Sequence, residues 1–230
     1  MYHERATRKP EATRDLRETS FTAILVWLVD RVPGARAVAL VDAEGETVDY
    51  AGGLDAFAAR VAAAHWRIVL EDARRETTVG LVRSLTVHAT SATFVIHGLP
   101  HGYAIVLVLV RRGGCVSQRA LVACGQLLSA EAGWGPLASS WPRWFPVQML
   151  TDEAGRPDAI EVPHRTPEPI AIIGHCTEGL GRGERSWRIR TAAGIEATLV
   201  REPGALWYVD EPVDAQTSFW LSARQPPKTR

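Results

Sequence analysis

The stretch FTAILVWLVDRVPGARAVALVDAEGETVDYA, residues 21–51, decides how the rest of the chain is read. Phe21, Ile24, Leu25 and Leu28 recur at i, i+3, i+4 and i+7, the spacing that lines one buried face of a helix. Val32-Pro33-Gly34 stops that helix, and an apolar strand over Ala37 to Val41 follows. The turn Asp42-Ala43-Glu44-Gly45 supplies the left-handed glycine position that a hairpin needs. A second strand, Thr47 to Tyr50, then runs into Ala51-Gly52-Gly53. Upstream, Pro10 suits a helical first turn, so the first helix is expected to run from there to about Arg31. Asp30 and Arg31 close the apolar run directly, which favours an amphipathic helix over a secretion signal.

A second helix is expected from about Leu54 to Glu71. Leu54, Phe57, Ala58, Val61, His65 and Ile68 form one stripe on it, and Ala59, Ala63, Trp66 and Leu70 form another. Arg60, Arg67 and Glu71 leave only a narrow polar strip. A helix apolar on two sides must be covered on both, and the Ala59, Ala63, Trp66, Leu70 stripe is assigned to a partner. Three strands follow, at about Ser84 to Ala89, Ala92 to Leu99 and Tyr103 to Val110. The last has no polar alternation, as expected of a central strand covered on both faces. After Gly113-Gly114, a third helix is expected over Ser117 to Glu131.

Helix, two strands, helix, three strands, helix is an order that resembles the roadblock family of dynein light chains and their bacterial MglB-like relatives. The resemblance spans about Phe21 to Ala132 and is carried by that order together with Val32 to Gly34 and Val41 to Gly45. It implies an α/β (α+β type) sandwich, a five-stranded antiparallel sheet between helices. It also implies a noncatalytic homodimeric scaffold or regulator for a small Ras-like GTPase or another cytoplasmic protein. In that family the strand matching Ser84 to Thr90 pairs with its twin across a twofold axis, and the middle helices pack alongside. Ser84 to Thr90 contains no lysine, proline or carboxylate of the kind that blunts an open sheet edge. The expected dimer seam is Ala59, Ala63, Trp66, Leu70, Leu85, Val87 and His88.

Beyond Gly133 the composition changes, for six of the eight tryptophans lie there. The expected organisation is a polar extension over 1–19, a roadblock-like domain over 20–133, a Trp- and Pro-rich linker over 134–146, a small β-rich domain over 147–222 and a polar tail over 223–230. Turn signals at Asp152 to Gly155, Ala193-Gly194 and Pro203-Gly204 mark the β-rich part. Pro146 to Leu150, Gly155 to Ile160, Trp187 to Arg190 and Arg201 to Tyr208 are similar to an uncharacterised module accompanying bacterial translesion-polymerase accessory proteins. That second likeness supports an alternative function, a DNA-repair accessory binding single-stranded nucleic acid through Arg188, Arg190 and Trp207. Arginine for phosphate and tryptophan for base stacking suit that chemistry. Against it, Trp187 and Ile189 point inward if the segment is a hairpin, leaving Arg188 and Arg190 to face Glu196 and Thr198.

Twenty-six basic residues balance twenty-six acidic ones, so no global field draws the chain to nucleic acid or an anionic membrane. No apolar run reaches the length needed to span a bilayer. Three cysteines without paired spacing suit a reducing compartment, so the chain is expected in the cytoplasm. Gly174 to Gly183 lacks the Gly-Lys-Ser/Thr step of a phosphate-binding loop. His164, His175 and Cys176 fall short of the four closely paired ligands of structural zinc. No cofactor, metal or catalytic residue is assigned.

Overall fold

The computed structural model describes residues 16–76, 82–111, 116–134, 143–161, 166–176 and 180–211. The chain divides into two compact units, Met1–Gly114 and Cys115–Arg230.

In the first unit, α1 (Ser20–Arg31) leads into β1 (Ala35–Val41) and β2 (Thr47–Gly52), followed by α2 (Ala56–Arg75) and then β3 (Ser84–His88), β4 (Ala92–Gly98) and β5 (Ala104–Val110). The strands form one antiparallel sheet in the order β2-β1-β5-β4-β3. β5 is the central strand, and Ala104 to Leu109 are all buried, as its unbroken apolar run requires.

The first helix starts at Ser20 and not near Pro10. Residues 16–19 are not helical, and Pro10 lies outside the described residues. A capping box ends the helix here: Thr19 Oγ1 accepts from the Phe21 N–H at 3.2 Å, and Thr22 Oγ1 accepts from the Thr19 N–H at 2.9 Å. Both hydroxyls then donate to the buried Asp49 carboxylate, at 2.6 Å from Thr19 and 2.7 Å from Thr22. Asp49 stands opposite Leu40, whereas its neighbour Tyr50 stands opposite Ala39 and packs in the cluster under α2. Successive strand residues point to opposite faces. The helices α1 and α2 therefore cover opposite faces of the sheet.

The turn between β1 and β2 closes as its residues demand. Asp42 Oδ1 accepts from the Glu44 and Glu46 N–H groups, and Gly45 takes a φ of 88°. α2 begins at Asp55, whose carboxylate accepts from the Ala58 N–H at 3.0 Å, and runs one turn past the expected Glu71 to Arg75. Arg67, expected on the polar strip, is 5% exposed instead. Its Nε donates to the Gly102 carbonyl at 2.8 Å and its Nη1 to Glu71 at 3.0 Å. Gly102, at φ 80°, also packs closely on the β1–β2 turn, where a Cβ would come within 2.8 Å of the Ala43 Cβ.

The second unit holds α3 (Gln118–Glu131) and six strands: β6 (Phe145–Thr151), β7 (Pro157–Glu161), β8 (Glu168–His175), β9 (Arg185–Thr191), β10 (Glu196–Glu202) and β11 (Leu206–Val209). Each strand pairs antiparallel with the next, and β11 returns to β6 to close a barrel. The small β-rich domain is thus an up-and-down barrel, an architecture that leaves few open edges. Val147, Ile160, Trp187, Ile189, Leu199, Trp207 and Val209 fill its interior, with the two indole rings 5.5 Å apart. Helix α3 is tied to this barrel through its N-terminus. Ser117 caps Ala120 N at 3.0 Å and donates to Glu202 at 2.7 Å, while Arg119 Nη1 reaches Glu184 at 2.9 Å and Glu202 at 3.0 Å. The Arg119 guanidinium also lies over the Trp144 ring, 4.8 Å from its centroid.

Candidate interaction surface

Two features of the first unit are left incomplete. Strand β3 ends the sheet, pairing with β4 on one side and with no strand on the other among the described residues. Leu85 and Val87 point to the α2 side and pack partly buried against its cluster, whereas Thr86 and His88 are exposed. Ser84 and His97 hold the edge strand to β4, with Oγ and Nδ1 2.6 Å apart, and His88 Nδ1 lies 3.1 Å from Thr93 Oγ1. Burial first, then the charges of Arg74 and Arg83, pushes His97 down to about 4. Among the described residues no strand takes up the outer side of this edge, and no charged side chain from Ser84 to Thr90 discourages one.

The second feature is the outer face of α2, and here the sequence assignment of the two stripes is reversed. Ala59, Ala63 and Leu70, expected at a dimer seam, are 3%, 0% and 0% exposed and pack on the unit's own sheet. Trp66 is half-buried beside them, its ring 4.8 Å from Phe94 and edge-on to His65 at 5.0 Å. The stripe expected to face home is the one in water: Phe57 is 69% exposed, Val61 52% and Ile68 60%. Small residues explain the reversal. Two alanines on the inner face let the helix axis approach the sheet closely, and bulky Phe57 and Ile68 at those positions would hold it off. The alternation of alanine with large residues was the signal available in the sequence.

Beside the exposed stripe, Ala43, Glu44 and Gly45 of the β1–β2 turn and Arg67, Ile68, Glu71, Asp72 and Arg75 of α2 line a shallow notch. Its charges are mixed, and Arg67 and Glu71 are already paired. Among the described residues no three metal-capable side chains cluster, and no helix is long and apolar enough to cross a membrane.

The residues considered for nucleic acid lie on the barrel, Trp207 inside it and Arg188 and Arg190 on its outer surface. Trp207 is 5% exposed inside the core, so neither ring face is free for a base. Arg188 stands opposite Thr198 and Arg190 opposite Glu196. Arg190 binds Glu196 at 2.6 Å, and side-chain hydrogen bonding to Arg190 holds the Glu196 carboxyl below its ordinary value. Of the histidine and cysteine set, His164 lies outside the described residues, while His175 is exposed at the end of β8 next to Cys176.

No family model matches the chain, and none of the curated proteins matches it. Among solved structures, the chain is similar to a Roadblock/LC7 domain from Streptomyces avermitilis, at 23% identity over 38% of this chain and 76% of that one, with a TM-score of 0.33. It is similar to MglB of Myxococcus xanthus at 14% identity, over 51% of this chain and 98% of that one, with a TM-score of 0.43. A third likeness is to MglC from Myxococcus xanthus, at 27% identity over 42% of this chain and 84% of that one, with a TM-score of 0.31.

Proposed function

We propose that the protein is a noncatalytic homodimeric platform that docks a protein partner in the cytoplasm. The carrying observation is that one unit leaves both a bare strand edge at β3 and an exposed apolar stripe of Phe57, Val61 and Ile68. We take both to be covered by one isologous contact, in which a twofold axis sets the strand edge and the helix stripe against their own copies. Magnitudes favour using the two together. Burying one such side chain contributes roughly 1.5–3 kcal/mol, so six across a symmetric seam contribute on the order of 10 kcal/mol. Association itself costs about 4–15 kcal/mol. The stripe alone barely offsets that cost, and the added ladder of β3 hydrogen bonds tips the balance.

The seam proposed here comprises Phe57, Val61 and Ile68 of α2 with Leu85, Val87 and His88 of β3, and Trp66 supports it from beneath. A small Ras-like GTPase is the proposed partner on the roadblock resemblance of residues 21–132. Light scattering on the full chain tests the assembly: a dimer is expected for the natural sequence and a monomer for Phe57→Asp with Ile68→Asp, at unchanged folding. A monomer in the natural sequence at tens of micromolar overturns the reading. Binding of purified Ras-type GTPases in their two nucleotide states then tests the partner.

A further inference from the structure

Two arginines stand side by side at one end of the barrel. The register sets Arg185 of β9 opposite Arg201 of β10, Arg201 opposite Trp207 of β11, and Trp207 opposite Val147 of β6. Trp207 and Val147 belong to the barrel interior, so the whole row shares the inner face. Arg185 opens β9 and Arg201 is the last residue but one of β10, which puts the pair at the rim. The Cβ atoms of directly opposed residues lie about 4.5–5.5 Å apart, and like charges so placed repel. The neighbouring charges are already paired. Arg188 and Arg190 on the outer surface share Glu196, while Glu184 and Glu202 both close on Arg119. Neither Arg185 nor Arg201 meets a carboxylate among the described residues.

The pair is also held in place. Glu184 and Glu202, the chain neighbours of Arg185 and Arg201, meet one nitrogen of Arg119 at 2.9 and 3.0 Å. That ties the start of β9 to the end of β10. The Arg201 guanidinium lies over the Trp207 ring, 5.5 Å from its centroid, and Arg185 is exposed beside it. Two guanidinium forks set close together match an anion with several oxygens and two charges. A phosphate monoester carries about −1.5 to −2 at pH 7, whereas a carboxylate or a phosphodiester carries a single charge. Trp207 is 5% exposed and offers no ring face to a base, so a nucleic acid would gain phosphate contacts alone. We propose that Arg185 and Arg201 bind a phosphate monoester group at this end of the barrel. The site is independent of the assembly through the first unit.

Calorimetric titration of the full-length protein at neutral pH and low salt tests this. The probes are glycerol 3-phosphate, a phosphoserine peptide, acetate, and a single-stranded oligonucleotide without a terminal phosphate. At least one of the two esters is expected to bind at least about tenfold tighter than acetate, the size of one charged hydrogen bond. Whichever ester binds tighter identifies the source, a phosphorylated side chain of a protein or a small phosphorylated molecule. Arg185→Gln should weaken ester binding by about tenfold or more at unchanged folding. Arg201→Lys, which keeps the charge and loses the fork, should weaken it as well. Arg188→Gln, on the other face of the same strand, should leave it unchanged. Ester binding no tighter than that of acetate overturns the proposal. So does ester binding that survives Arg185→Gln or is lost equally in Arg188→Gln. An oligonucleotide that binds tighter than both esters also overturns it, for the pair would then serve a nucleic-acid backbone.

Discussion

Arg119 and Glu202 lie 83 residues apart in sequence and 3.0 Å apart in space, and this pair fixes the start of α3 to the end of β10. The Arg119 side chain is 14% exposed and that of Glu202 only 6%. The one guanidinium nitrogen also serves Glu184, so two carboxylates depend on a single cation. Removing that cation leaves Glu202 to the Ser117 hydroxyl and Glu184 to the Gly181 N–H, with no cation paired to either among the described residues.

Arg119→Ala should therefore cost about 3–5 kcal/mol, the range for breaking a buried ion pair from one side. Glu184→Gln should cost much less, since it relieves one carboxylate from the neighbourhood of the other. Glu202→Gln falls between, because Glu202 is the more buried of the two carboxylates, 6% exposed against 14% for Glu184. Urea midpoints followed by tryptophan fluorescence rank the three. Equal costs for Glu184→Gln and Arg119→Ala would contradict the shared-cation arrangement.

Asp49 does for α1 what Arg119 does for α3. It accepts both cap hydroxyls and its own strand's Tyr50 N–H at 2.7 Å, with no solvent exposure. Asp49→Ala leaves those donors with less to bind and should cost roughly 2–4 kcal/mol by unsatisfied-donor and charged hydrogen-bond magnitudes. Thr19→Ala removes one hydroxyl and should cost about 1 kcal/mol. Exchange protection over residues 20–25 should fall before that of β5. A uniform loss across the sheet would show that Asp49 supports the core and not the cap.

Much of this fold is legible in the sequence because its local signals agree. The Asp42 to Gly45 and Asp152 to Gly155 turns share one chemistry, an aspartate accepting backbone N–H groups ahead of a left-handed glycine. Central β5 shows as an unbroken apolar run, whereas the edge position of β3 follows from the roadblock resemblance and not from its place along the chain. The orientation of α2 was not legible from apolarity alone, for both its stripes are apolar. Side-chain size decides it, and size enters only when the helix must approach a sheet. The start of α1 was missed because its decisive partner, Asp49, is thirty residues from Thr19. Trp207 looked available for stacking because a tryptophan beside arginines carries no mark of the barrel that encloses it.

His97 should make stability depend on pH. Its folded value is about 4, below the ordinary 6.5, with burial the main cause and Arg74 and Arg83 adding to it. The unfolded chain thus binds a proton between these values that the folded chain refuses. Stability should rise with pH across that window and fall as the solution is acidified from about 6.5 towards 4, by a few kcal/mol in all. His97→Gln should flatten that part of the profile while retaining a partner for Ser84. An unchanged slope would assign the dependence to other groups.

The strand edge at β3 provides the sharpest separation between folding and assembly. Proline cannot donate to a ladder, so Val87→Pro weakens either the β4 pairing or the outer edge, depending on which way its N–H points. That variant alone cannot tell a misfolded sheet from a lost dimer. Phe57→Asp can, because Phe57 is 69% exposed and its replacement removes nothing from the unit's own core. If α2 and β3 share one seam, Phe57→Asp and Val87→Pro should both yield monomers in light scattering, with Phe57→Asp keeping the unfolding free energy of the folded monomer within about the half kcal/mol expected of surface changes. A Val87→Pro protein that remains dimeric would remove edge pairing from the assembly and leave the helix stripe as its basis. A Phe57→Asp protein that remains dimeric would do the reverse.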